Sequence, residues 1–223
     1  MVFNVMHVLA SSVPQDLLFL TEIGFIIIIA AFFAIYSVNA WRKELKGQRE
    51  LDVAEQALSL IYECRDNLYM IRSPLGYVGE GTTRKRRDNE TEEDSKVLDS
   101  AYALIERYER VKDSFIKLQA IKYRFMALFG QENAEPFNEV NKIMNELFLA
   151  ARRLGERYWN PKFQAQATRD PKWYDRMAKE EAKFWAGQDT DTIAQRMDNA
   201  VAHVEDVCSK IIWRKPPREK HIP

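Results

Sequence analysis

A long apolar run near the N-terminus constrains this chain more than any other feature. Residues 17–40 read LLFLTEIGFIIIIAAFFAIYSVNA, with Glu22 as the only charged group. In an α-helix these 24 residues rise about 36 Å, more than the roughly 30 Å of a bilayer's hydrocarbon core. The four isoleucines and the AAFFAIY that follows are typical of a lipid-facing surface. We therefore predict a transmembrane helix over residues 17–40, after a short external N-terminus over 1–16.

A buried core helix and a cleaved secretory signal are the two other interpretations of such a run. A signal peptide needs basic residues before its apolar part and small residues at the cleavage site. No Lys or Arg precedes Arg42, and the run ends in Trp41 and charged residues. The composition therefore favours a span that is retained.

The basic residues predict the orientation of the span. Arg42, Lys43, Lys46 and Arg49 follow it directly, whereas no Lys or Arg precedes it. Because Lys and Arg accumulate on the cytoplasmic side, the larger C-terminal part is expected in the cytoplasm. Trp41 is suited to the aromatic belt at the inner interface. We predict a single-pass protein of the inner (plasma) membrane with its N-terminus outside.

Two features within the span invite functional interpretations. Glu22 lies about one helical turn from the outer edge, where its carboxylate can reach the headgroups; a role at bilayer depth is the alternative. Ala30 and Ala34 form a small-xxx-small pair that could seat a second helix. That pair allows a homo-oligomer, and it is the basis of one alternative function, a membrane-perturbing effector that acts through oligomerised spans.

Apolar residues after the span recur at alternating intervals of three and four, which is the period of a helix facing a core. An isolated stripe would leave its apolar face in water, so we predict that the stripes face one another. The fold expected is all-α, with the span followed by an antiparallel cytosolic bundle over residues 41–213. A free-standing dimeric coiled coil is the alternative for the second stripe. The four stripes cover residues 54–71, 97–129, 137–158 and 193–211, and Thr91 with Asp94 is expected to form a capping box at the start of the second.

A short aromatic helix is predicted over residues 171–186, preceded by Asp170 as its cap. Its aromatic side chains, which include Trp173, Tyr174 and Trp185, are expected to close the end of the bundle. A patch of these three residues that binds a protein partner is the alternative.

Two polar segments flank these helices. Residues 73–95 contain three glycines and the run RKRRDNETEED, whose acids offset its bases, so a flexible solvated loop is expected. The last ten residues, 214–223, form a basic tail, since Pro216 and Pro217 stop the preceding helix. We predict that this tail contacts anionic lipid headgroups. The residues expected to do so are Trp213, Arg214, Lys215 and Arg218.

The composition gives no sign of a metal or cofactor site and no reason to expect a nucleic-acid partner. The chain has 33 Lys and Arg against 33 Asp and Glu, so no overall charge favours nucleic acid. Two cysteines, Cys64 and Cys208, are too few for a zinc site built from cysteines.

One motif suggests catalysis. In RMDNAVAH, Arg196 and His203 lie seven residues apart on one helix face. The pair resembles the Arg-x4-6-His motif of helical ribonucleases of the HEPN class. That resemblance implies a His acting on a ribose hydroxyl and an Arg stabilising phosphate charge. Met197 stands where that family usually has a polar residue.

Longer strings, WRKELKG, IRSPLGYVGEG and YRFMALFG, resemble those of bacterial single-pass membrane proteins of unassigned function that carry a helical cytosolic domain. This resemblance implies no activity. Our leading hypothesis is a non-enzymatic, membrane-anchored helical module that binds a protein partner. The tethered ribonuclease and the membrane-perturbing effector are the alternatives.

Overall fold

The computed structural model describes residues 15–187 and 190–213, except for the side chains of residues 15–22, 164 and 165. These described residues contain helices and turns and no strand, which confirms the all-α class. The five helices are α1 (Gln15–Ile71), α2 (Glu92–Phe129), α3 (Glu135–Arg153), α4 (Trp173–Phe184) and α5 (Thr192–Ile212). Shorter helical turns occupy Gln131–Ala134, Leu154–Tyr158, Pro161–Phe163 and Gln164–Ala167.

The chain divides into two compact units, with the boundary after Arg49 within α1. The first unit contains the apolar part of α1, which is long enough and apolar enough to cross a membrane. None of that apolar stretch is buried against other parts of the protein. Residues 17–40 are therefore helical as predicted, and the described apolar side chains among them have no protein cover.

The second unit has one apolar core to which all four predicted stripes contribute. Ile61 of α1, Leu118 of α2, Leu147 of α3 and Val204 of α5 are each fully buried in it. Since the stripe of α2 is covered by helices of the same chain, a dimeric coiled coil is not needed to bury it. The antiparallel order of the helices stays a prediction.

Local sequence signals account for three of the helix ends. Thr91 and Asp94 form the predicted capping box at the start of α2, and Gly130 ends that helix with a φ of 103°. Asp191 accepts a hydrogen bond from the backbone N–H of Ala194 and so caps α5. The predicted cap of the aromatic helix is wrong. That helix begins after Lys172, whose backbone N–H donates to Asp170, so Asp170 stabilises the preceding turn instead.

Arg72 connects the end of α1 to the segment between α4 and α5. Its side chain is 1% exposed and donates to the backbone carbonyls of Ala182, Lys183 and Trp185 at 2.7–3.0 Å. It also binds both carboxylate oxygens of Asp191 at 2.9 Å. One buried guanidinium therefore satisfies acceptors that the end of α4 would otherwise leave unpaired.

The 73–95 loop is held against α2 by buried ion pairs. Glu80 of the loop pairs with Arg107 at 2.6 Å, with side chains 6% and 7% exposed. Arg84 of the loop binds Asp99 of α2 at 3.1 Å and Glu90 within the loop at 2.7 Å, and the hydrogen bond to Glu90 lowers the pKa of that carboxyl to about 2. These side chains are not solvated, which differs from the expectation for this segment. Bases and acids of the loop do form pairs, as their similar numbers suggested, but α2 covers these pairs. Flexibility of the loop stays a prediction.

Candidate functional site

The apolar side chains of α1 are exposed around the whole helix over residues 25–28. Phe25, Ile26, Ile27 and Ile28 are exposed by 62–67%. Four consecutive residues, each rotated by about 100°, cover the full circumference of a helix. An amphipathic helix lying on a membrane surface would present a polar face, which this stretch does not have. The arrangement suits a helix surrounded by hydrocarbon.

Polar groups follow this apolar surface directly. Trp41 is 61% exposed, and Arg42, Lys43 and Lys46 continue the same helix with exposed side chains. An exposed indole next to cations is the usual arrangement at a membrane–water boundary. Glu22 lies in the helical part of α1, but its side chain is outside the described set.

The second group of predicted lipid contacts lies at the end of α5. Trp213 follows the helix directly and is 72% exposed, as an interfacial side chain requires. Arg214, Lys215 and Arg218 lie outside the described residues. The contact of the basic tail with lipid stays a prediction.

The structure does not bring the three aromatic residues of the alternative partner patch together on the surface. Trp173 is 2% exposed and packs edge-to-face on Tyr158. Trp185 is half-buried and contacts Trp159 and Phe184. Only Tyr174 is exposed, by 61%. Burial of Trp173 excludes it from a preformed surface patch, whereas its packing agrees with the expectation that the aromatics close the end of the bundle.

Arg196 and His203 both line a shallow cavity of about 260 Å³. Arg196 donates to Glu139 at 2.6 Å and to both oxygens of Glu146 at 2.8 Å. These hydrogen bonds, chiefly the one with Glu146, raise the pKa of the Arg196 guanidinium. His203 lies 3.3 Å from the amide oxygen of Asn133.

This geometry suits an ion-pair network better than a phosphate site. All three nitrogens of the Arg196 guanidinium already donate to carboxylates, and Glu135 also lines the cavity. An RNA phosphate entering here would meet more negative than positive charge, which opposes binding. The sequence correctly placed the two residues on one face. It gave no indication of the two glutamates on α3.

The described residues contain neither a metal-binding cluster nor an activated thiol. They contain no group of three or more His, Cys, Asp and Glu side chains that could hold a metal ion. Burial raises the pKa of Cys64 to about 12 and that of Cys208 to about 11. Both thiols therefore stay protonated at neutral pH, and a protonated thiol is a poor nucleophile.

Comparisons with family models, with curated proteins and with solved structures found no match for this chain.

Proposed function

We propose that this protein is a membrane-anchored helical interaction module without enzymatic activity, in which the first part of α1 crosses the inner membrane. The observation that carries the proposal is the apolar surface of α1, exposed on every side of the helix over residues 25–28. Exposing such an apolar surface to water is unfavourable in free energy, whereas the acyl chains of lipids solvate it.

The cytosolic part of the proposal is supported by its packing. The predicted catalytic arginine is engaged by two carboxylates, and the two cysteines are buried. A bundle of this kind can hold a surface for a protein partner next to the membrane. Ala30 and Ala34 are exposed in the span and allow a second copy to pack there. A membrane-perturbing effector would need such oligomerisation as its first step.

We expect a reporter that is active only in the cytoplasm to be active when fused after Pro223. A tag placed before Val2 should be cleaved by protease added to intact spheroplasts. The reason is the four bases over residues 42–49, which oppose translocation.

The matched control for this topology replaces Arg42, Lys43, Lys46 and Arg49 by glutamine. Loss of these charges should give molecules of mixed orientation, because no other Lys or Arg flanks the span closely on either side. Protection of the N-terminal tag in spheroplasts of the unchanged protein would contradict the proposed orientation.

We expect labelled RNA incubated with the detergent-purified full chain to decay at the same rate for the unchanged protein and for His203→Ala. The guanidinium of Arg196 is occupied by Glu139 and Glu146, so no phosphate site forms beside His203. Specific cleavage of RNA by the unchanged protein that is lost in His203→Ala, at an unchanged melting temperature, would contradict the proposed non-enzymatic module. It would support the tethered ribonuclease instead.

A further inference from the structure

Basic side chains from two helices and the turn between them surround one concavity of about 310 Å³ in the second unit. Arg153 lies in the last turn of α3, and Arg157 lies in the following turn at Leu154–Tyr158. Arg176, Lys179 and Lys183 lie at intervals of three and four along α4, so they share one helix face. The sequence alone gave no sign that the bases of α3 and of the following turn lie beside those of α4.

A buried carboxylate positions two of these bases. The side chain of Glu180 is 10% exposed and accepts hydrogen bonds from Arg153 at 2.8 Å and from Lys183 at 3.2 Å. Among the described residues it is the only acidic one that lines the concavity. Even when Asp170, which pairs with Arg176 at the edge, is counted, three positive charges remain in excess.

Two of the bases have no carboxylate partner among the described residues. The guanidinium of Arg157 lies 5.2 Å from the ring centre of Trp173 and 5.8 Å from that of Tyr158. Contact with these ring faces limits its motion while leaving its N–H groups for a ligand. Lys179 is exposed on α4, and no ion pair of its ammonium is found in the described parts of the chain.

Three arginines elsewhere in the second unit are neutralised, unlike Arg157 and Lys179. Arg84, Arg107 and Arg196 each bind carboxylates at 2.6–2.8 Å. A separate groove between α1 and α2 carries two bases, Lys117 and Arg124, beside Glu55. That groove has a largely apolar lining and no comparable excess of positive charge.

We propose that the pocket formed by Arg153, Arg157, Arg176, Lys179 and Lys183 binds a compact anion with several phosphate groups. Arginine forks match the oxygens of a phosphate, and closely spaced bases favour adjacent phosphates over an isolated one. The volume is at the lower end of small-ligand sites. The same chemistry is carried by a soluble oligophosphate and by a phosphorylated lipid headgroup. The inference is independent of the proposed membrane function.

The test is calorimetric titration of the full chain, in a neutral detergent, with inorganic tripolyphosphate. Saturable binding is expected to weaken by at least about tenfold in the double variant Arg157→Gln with Lys179→Gln, since hydrogen bonds to charged groups are among the stronger ones. Neither residue is buried, so the fold should be retained. The matched control, Lys117→Gln with Arg124→Gln, removes the same charge from exposed positions and should change the affinity by less than about twofold.

A second titration distinguishes a soluble oligophosphate from a phosphorylated lipid headgroup. Tripolyphosphate is titrated into the full chain in nanodiscs of phosphatidylcholine, with or without a phosphatidylinositol bisphosphate. Loss of tripolyphosphate binding only in the discs that contain the phosphorylated lipid identifies the headgroup as the ligand. Unchanged binding in both discs identifies a soluble oligophosphate. Absence of saturable binding to tripolyphosphate and to the lipid would overturn the proposal. Equal weakening by the pocket and control variants would overturn it too, because it would show a general charge effect.

Discussion

Replacing Arg72 by methionine is expected to lower the free energy of unfolding by about 3–5 kcal/mol, the usual cost of breaking a buried ion pair. The Arg72 side chain is 1% exposed and donates to three carbonyls and to both oxygens of Asp191. Methionine can fill much of the space but donates no hydrogen bond. The substitution would leave three carbonyls without the Arg72 donor and the largely buried Asp191 carboxylate without its countercharge, with only the Ala194 N–H among the described groups still donating to it.

The measurement is denaturant unfolding of the detergent-purified full chain, followed by circular dichroism. Arg65→Met is the matched control, because Arg65 lies two turns earlier, is 33% exposed and contacts only residues of its own helix, Asp66 and the ring of Tyr62. We expect the control to change the unfolding free energy by no more than about 0.5 kcal/mol. Equal effects of the two substitutions would show that the Arg72 network does not hold the end of α1 in place.

The helices and the core could be predicted because apolar periodicity reports burial directly. Ile61, Leu118, Leu147 and Val204 were all assigned to core stripes from their spacing alone, and all four are fully buried. Capping signals are equally local, which explains the success at Thr91. The long apolar helix was predictable for another reason, since the length and composition of the run are those of a membrane span.

Buried charged residues could not be predicted by the same method. Arg72 directly follows the last residue of a stripe and resembles any polar residue at a helix end. Its acceptors lie more than 100 positions away, and most are backbone carbonyls, which carry no sequence signature. Arg107 is similar, because three of its acceptors are carbonyls of residues 71–75.

The aromatic segment shows why neighbours in sequence can differ in burial. Trp173 is 2% exposed and Tyr174 is 61% exposed, although they are adjacent. One residue corresponds to about 100° of rotation around the helix axis. An error of one residue in the assumed rotation therefore assigns a buried side chain to the exposed face. The basic pocket did have a sequence signal, the spacing of Arg176, Lys179 and Lys183. Its other bases belong to α3 and the following turn, and only the folded chain brings them to α4.

Lysine at both Ile28 and Phe32 is expected to abolish membrane insertion of the full chain. These residues lie on one helix face near the middle of the apolar run, and they are 67% and 69% exposed. A lysine at the centre of a span costs about 2.5–3.5 kcal/mol on the insertion scale, so the pair costs about 5–7 kcal/mol. No buried contact of the protein is lost, so lipid is the environment that the substitution affects.

The most direct test of the membrane anchor is flotation of carbonate-washed membranes in a density gradient, since aggregates stay at the bottom while inserted protein floats. The matched control is Ile116→Lys with Tyr123→Lys, which changes two apolar residues of α2 that are 56% and 66% exposed. We expect the unchanged protein and the control to float with the membranes and Ile28→Lys with Phe32→Lys to stay out of them. Flotation of the span variant to the same extent as the unchanged protein would contradict a membrane-spanning α1.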